Sequence, residues 1–185
     1  MFAKSMLALV IIDMQRWMFR KPERLAQVGG LLPAIGSLAS RFTHANLPIY
    51  DVVTIHRPDR STWSGLMLKY DYSCLIEGTA DAEPVEGYEA PAAAIRVVKT
   101  QNSAFLHTNF EKILHADGVT GLLLTGVFMD GCVALTAADA AQRRFDVACI
   151  SDGIGHVDAK MRRPMEEWLH QMYEIDQIRA VDAPL

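Results

Sequence analysis

Three residues carry the chemistry this sequence could perform: Asp13, Lys99 and Cys132. Cys132 stands after the apolar stretch Leu122-Leu123-Leu124-Thr125-Gly126-Val127 and before Val133-Ala134-Leu135-Thr136-Ala137-Ala138-Asp139-Ala140. A strand, a short turn and an Ala-rich helix are therefore expected around it. A thiol at a helix N-terminus meets the positive end of the dipole and free amide N–H groups, which favour a thiolate. The plainer alternative is a small buried hydrophobe that happens to begin a helix. Asp13 ends the continuous apolar run Leu7-Ala8-Leu9-Val10-Ile11-Ile12, the pattern of a central parallel strand. Open parallel sheets bind ligands at that edge, although many strand-ending aspartates only start a turn or cap a helix. Lys99 closes the shorter run Ile95-Arg96-Val97-Val98 and, taken singly, reads as a solvated edge lysine. All three at the C-terminal ends of strands is a rarer arrangement than any one of them.

If the three converge, amide hydrolysis is within reach. That reaction needs a nucleophile, a group that accepts a proton and later returns it, and stabilisation of an oxyanion. Cys132 supplies the thiol and Asp13 the proton acceptor, while Lys99 would favour the thiolate and hold the carboxylate in place. A redox-sensing thiol acting through partners would use a low thiol pKa as well. Such a sensor needs no carboxylate and amine beside the sulfur, and no resolving cysteine lies near Cys132 in sequence.

The elements that must position these residues follow from the apolar pattern. Strands are expected over residues 7–12, 48–54, 95–98, 121–125, 147–151 and 177–181. Leu25, Val28, Leu31, Leu32, Ile35, Leu38, Ala39 and Phe42 recur at three- and four-residue steps, one apolar helix face that Pro33 should kink or divide. Thr108-Asn109-Phe110-Glu111 matches a capping box for a short helix ending near His115. Further helices are expected over 131–144 and 158–172. The alternation implies a three-layer α/β/α, Rossmann-like domain with a parallel sheet of about six strands. Residues 57–91 are the exception, rich in Gly, Pro, Asp and Glu. A loop of that length in a compact domain is functional or makes an oligomer contact. Without repeats, low-complexity tracts or a linker, residues 1–185 read as one domain.

The ordered motifs Ile12-Asp13-Met14-Gln15, Lys99-Thr100-Gln101-Asn102-Ser103-Ala104-Phe105, and Gly126-Val127 through Cys132-Val133 to Thr136-Ala137-Ala138-Asp139-Ala140 resemble the isochorismatase-like cysteine hydrolase superfamily. The resemblance runs from near Leu7 to near Ile178; it is specific for the superfamily and says little about the substrate. It implies Asp13, Lys99 and Cys132 as catalytic residues and an oxyanion hole made by the backbone N–H groups of Phe128 and Cys132. It also implies a cis peptide between Val127 and Phe128, and a homodimer or homotetramer. Nicotinamidases of this superfamily hold a metal beside the triad through an Asp-x-His pair and a second histidine. Here Thr54 stands where the carboxylate should be, His56 fits the first histidine, and no other follows until His107. One imidazole is a poor site for a divalent cation. No catalytic metal or other cofactor is therefore expected, and nicotinamidase activity is disfavoured. His56 reads more simply as a locally hydrogen-bonded turn residue.

Trp17, Phe19, Trp63 and Phe105, with Gln15 and His56, could wall a pocket for a small planar acyl group, although each aromatic suits ordinary packing equally well. Arg57 could meet a substrate carboxylate or lie in solvent. Half of the 185 residues are hydrophobic and 22% are charged, the balance of an ordinary globular domain. A formal net charge of −4 argues against a nucleic-acid partner, and the apolar runs are too short to span a membrane. Three widely spaced cysteines make neither a disulfide framework nor a zinc site, and Cys149, in an expected strand, should be inert. No signal-peptide pattern precedes the first strand, so a cytoplasmic location is expected. The reading is a metal-independent cysteine hydrolase that cleaves a carbon–nitrogen bond of a small amide, carbamoyl or ureido compound through a thioester. The alternative is the vinyl-ether hydrolysis that relatives perform with the aspartate but without the cysteine, and Cys132 argues against it.

Overall fold

The structure, a computed structural model, describes residues 6–185. Six strands, β1 (Leu7–Ile12), β2 (Ile49–Thr54), β3 (Ile95–Lys99), β4 (Gly121–Gly126), β5 (Asp146–Ile154) and β6 (Asp176–Ile178), form one sheet in the order β3-β2-β1-β4-β5-β6. Every neighbouring pair is parallel. In β1, Leu7, Leu9 and Ile11 enter one core layer while Ala8, Val10 and Ile12 enter the other. Both faces of a central parallel strand are covered, which is why its sequence is apolar throughout instead of alternating.

Helices form the outer layers. On one face α2 (Val28–His44) buries Leu31, Ile35, Leu38 and Phe42. On the other, α4 (Phe110–Ala116), α5 (Ala134–Gln142) and α6 (Ala159–Tyr173) bury Phe110, Leu114, Ala134, Ala137 and Leu169. Each fully buried leucine or phenylalanine contributes about 1.5–3 kcal/mol of apolar burial, and Leu38→Ala would remove about 2–5 kcal/mol once the cavity is included. The three-layer α/β/α architecture and the six-stranded parallel sheet are as expected. Among the described residues no helix is long and apolar enough to cross a membrane.

Local differences have local causes. The helix that Pro33 was expected to kink or divide is not divided there and starts at Val28; Leu25 belongs to a separate turn, α1 (Pro22–Leu25), and is exposed. Pro33 falls in the second turn, where it removes a single hydrogen bond, the one to the Gly29 carbonyl. The capping box does not form. Thr108 accepts the Phe110 N–H at 3.2 Å, one residue early, and Glu111 pairs with Arg143 at 3.2 Å instead of reaching back. The last strand stops at Ile178 because residues 180–182 turn into a single 3-10 coil. Within residues 57–91 lies a short helix, α3 (Gly65–Tyr70), whose Ser64 hydroxyl accepts the Met67 N–H.

The strand order reverses between β1 and β4, and open sheets bind ligands in the crevice beyond the C-terminal ends at that point. Asp13 follows β1 and Cys132 follows β4, so they flank the crevice. Lys99 ends β3, two strands away from β1, and its side chain must cross the end of β2 to arrive.

Candidate active site

The three side chains converge. Lys99 Nζ lies 2.8 Å from Asp13 Oδ2 and 3.4 Å from Cys132 Sγ. It also donates to Thr54 Oγ1 at 2.6 Å and to the Gln101 carbonyl at 3.1 Å. The side chains of Asp13 and Lys99 are closed off from solvent, whereas Cys132 is partly exposed. Asp13 takes a left-handed backbone conformation, φ 54, which short polar side chains tolerate better than most. Its N–H donates to the Val52 carbonyl at 2.8 Å, so the chain leaves the sheet with the carboxylate turned over the strand ends.

The turn carrying Cys132 is tied at both ends. Gly126 has φ 99, and a Cβ there would stand 2.1 Å from the Ile12 carbonyl oxygen, so only glycine fits. The Val127–Phe128 peptide is cis, as the resemblance implied. The Phe128 carbonyl accepts N–H groups from Gly131 at 3.0 Å and Val133 at 3.1 Å, and Met129 N–H donates to the Gly155 carbonyl at 2.8 Å. Both Asp130 carboxylate oxygens take backbone N–H groups, from Val157 and Asp158. The Phe128 N–H itself meets no acceptor among the described residues. Regular helix begins only at Ala134, because Asp130 and Gly131 have non-helical backbone angles.

The resting thiol is not the thiolate expected from its place before a helix. Burial, then the Asp13 charge, push the Cys132 thiol up to about 12, against a smaller opposite pull from Lys99. The carboxylate and the thiol share one site, and two neighbouring negative charges there disfavour each other. For Lys99 burial works against the charge, but the Asp13 carboxylate and Cys132 together hold the amine above the ordinary lysine value. The resting arrangement is a charged Asp13–Lys99 pair beside a protonated thiol.

The residues expected to wall a pocket divide into two groups. His56 and Trp63 line one cavity of about 660 Å³ together with Arg57, Gln101 and His107. His56 Nδ1 donates to the Thr62 carbonyl at 2.7 Å, and burial, outweighing the opposite effect of that bond, lowers its pKa. The remaining four do not line this cavity. Gln15 uses its amide on the Thr54 main chain and the Ala82 carbonyl. Phe19 is buried with its ring edge against Phe128 at 6.1 Å, and Trp17 is capped by the Arg20 guanidinium. Phe105 is core, packed on Phe110 and Phe145. Cys149 is buried in β5, and burial pushes its thiol up to about 12.

A nicotinamidase-type metal set does not fit these residues. Thr54 stands where the carboxylate ligand would be, and its hydroxyl donates to Asp13 Oδ1 at 2.9 Å while accepting from Lys99, so of the expected Asp-x-His pair only the His56 imidazole remains. His107 lines the His56 cavity, yet among the described residues no three His, Cys, Asp or Glu side chains group as a metal site. Thr54, read in the sequence only as a missing carboxylate, is the residue whose hydroxyl contacts both Asp13 and Lys99. Its signal was positional: it ends β2 directly opposite Lys99 in the strand register.

Comparison with known proteins supplies the family. The Isochorismatase domain family model matches residues 7–172. A secreted isochorismatase effector of Verticillium dahliae is 31% identical over 150 residues, covering 81% of this chain and 73% of that protein. A probable inactive nicotinamidase of Arabidopsis thaliana is 31% identical over 156 residues, 78% of each chain. Shorter matches include amidohydrolases acting on maleamate and ureidoacrylate. The crystal structure of an isochorismatase family protein from Desulfovibrio vulgaris superposes with a TM-score of 0.81 at 27% identity, covering 96% of both chains. The protein is a hydrolase, and it belongs to the isochorismatase family.

Proposed function

We propose that the protein is a cysteine hydrolase that cleaves a carbon–nitrogen bond of a small amide, carbamoyl or ureido compound without a metal. One observation carries this reading: Lys99 Nζ bridges Asp13 Oδ2 at 2.8 Å and Cys132 Sγ at 3.4 Å beside the crevice where the strand order reverses. Because the resting thiol is protonated, its deprotonation accompanies attack. The Cys132 proton passes to Asp13 as sulfur bonds to the carbonyl carbon. The oxyanion that forms is held by the Phe128 and Cys132 N–H groups. Asp13 then returns the proton to nitrogen, the carbon–nitrogen bond breaks, and a thioester remains. Water adds to the thioester with Asp13 taking its proton; the carbon–sulfur bond breaks, sulfur regains the proton, and the acid leaves. Lys99 stays charged throughout and offsets the negative charge that moves between carboxylate and sulfur.

Vinyl-ether hydrolysis, with Asp13 as proton donor, is the second reading, and the isochorismatase effector among the relatives favours it. Cys132 has no task in that chemistry. A redox sensor would leave Asp13 and Lys99 without one. The test is ammonia release across a panel of small amides, ureides and carbamates, with acid-quenched samples weighed for an acyl group on Cys132. Turnover of a vinyl ether, with none of the nitrogen compounds consumed, would move the assignment to the second reading.

A further inference from the structure

We propose that Thr54 is a positioning residue of this site, and that Gln15 holds it in place. The inference rests on the triad reading above, since it assigns these two residues the task of orienting Asp13 and Lys99. Sheet topology makes such a residue necessary. The strand order puts β2 between β1 and β3, so the Lys99 side chain reaches Asp13 only by passing over the end of β2, which is Thr54.

The hydroxyl found there makes a directional link. An ammonium can only donate, so the 2.6 Å contact with Lys99 Nζ must use an oxygen lone pair of Thr54. The single hydroxyl hydrogen is then left for Asp13 Oδ1, at 2.9 Å. Asp13 is thereby held at both oxygens, Oδ1 by Thr54 and Oδ2 by Lys99. Lys99 has three hydrogens and four acceptors around it: Asp13, Thr54, the Gln101 carbonyl and Cys132. The sulfur has the longest of these contacts, so the Thr54 bond helps set how much of the ammonium it receives. Asp13 and Lys99 are both closed to solvent, and water cannot replace the hydroxyl without rearrangement.

Gln15 fixes the main chain beneath this hydroxyl. Beyond Ile12 the first strand has turned away at Asp13, and β2 would lose its partner on that side. The Gln15 amide substitutes for the missing strand. Its Oε1 accepts the Thr54 N–H at 2.9 Å, and its Nε2 donates to the Thr54 carbonyl at 2.9 Å and to the Ala82 carbonyl at 2.9 Å. On the other side Thr54 pairs with Lys99 across β2 and β3. Both main-chain groups of Thr54 are thus taken by Gln15, while on the β3 side the next residue, Ile55, donates its N–H to the Lys99 carbonyl at 3.1 Å, and the Thr54 hydroxyl is oriented before substrate arrives.

The experiment uses p-nitrophenyl acetate as an acyl donor, with burst kinetics and mass spectrometry following acylation of Cys132. Thr54→Val keeps the shape and removes the hydroxyl; it should slow acylation by about 10–100-fold, the scale of a catalytic group displaced by a fraction of a bond length. Half-saturation should change less than about threefold, because the substrate-facing surface is untouched. Thr54→Ser should restore most of the rate, and Gln15→Glu, which cannot donate to the two carbonyls, should fall between. Melting temperatures are measured alongside, and Thr54→Ala replaces the valine variant if that one fails to fold. Wild-type rates in Thr54→Val or Thr54→Ala, with Cys132→Ala unacylated, would overturn the positioning role and leave the triad standing. Equal loss in the serine and valine variants would overturn it too. Absence of acylation at Cys132 in the wild-type protein would overturn the triad reading and this inference with it.

Discussion

Lys99 Nζ sits 2.8 Å from Oδ2 of Asp13, with both side chains closed off from water. Taking two charges out of water is costly, and the pair holds only because each charge has the other and further hydrogen bonds around it. Removing one partner strands the other. Lys99→Met is therefore expected to lose about 3–5 kcal/mol of stability as well as activity. Urea unfolding at neutral pH checks this.

The same pair sets a pH dependence at the alkaline end. The folded protein binds the Lys99 proton more tightly than the unfolded chain does, so its pKa is raised from 10.5. The associated stability is fully present below 10.5 and is lost as pH rises through the folded value. The stability gap between wild type and Lys99→Met should accordingly narrow above pH 10.5 and stay constant between pH 7 and 9. Unfolding curves across that range supply the measurement.

Thiol reactivity should follow the charges around sulfur. With the thiol pushed up to about 12, iodoacetamide should alkylate wild-type Cys132 slowly at pH 8 and faster as pH rises. Asp13→Asn removes the carboxylate that opposes ionisation, so alkylation at pH 8 should accelerate by about tenfold for each unit the thiol falls, while turnover disappears. Lys99→Ala should act in the opposite sense and slow alkylation. An Asp13→Asn protein that alkylates more slowly than wild type would reverse our assignment of what controls the thiol.

Gly126→Ala probes the packing that brings β4 against β1. The added carbon would stand 2.1 Å from the Ile12 carbonyl oxygen, at a backbone angle that L side chains rarely adopt. A loss of about 4 kcal/mol or more is expected, in the range reserved for a gross steric conflict. Thermal and urea unfolding of the purified variant measure it.

The strands were legible because a central parallel strand, covered on both faces, must be apolar at every position, and β1 and β4 have no exposed residue to blur the pattern. Asp13 was legible because it follows such a run, whereas Lys99 ends the edge strand β3 and Cys132 stands in the turn after β4, so those two were legible from their motifs. Contacts between distant segments were not. Gln15 carries an amide fit for a substrate, and only the fold shows it engaged by Thr54, 39 residues away, and by Ala82. Phe105 lies one motif from the site in sequence, yet its ring belongs to the core under α4. Thr54 looked like a missing carboxylate, because its worth depends on Lys99 passing over it, a fact of strand order that periodicity does not contain. The helix-end argument for the thiol left out two things that only the fold shows, its burial first and then the Asp13 charge beside the sulfur, both of which raise its pKa.

The central claim is that Cys132 attacks the substrate carbon. The most direct measurement is turnover by Cys132→Ala, set beside intact mass of acid-quenched wild-type enzyme, on whichever compound of the amide, ureide and carbamate panel is consumed. The account predicts no turnover by the alanine variant with its fold unchanged, and a mass increase of one acyl group on wild-type Cys132. Hydrolysis by Cys132→Ala at the wild-type rate would contradict it, leaving Asp13 to act alone as a proton donor.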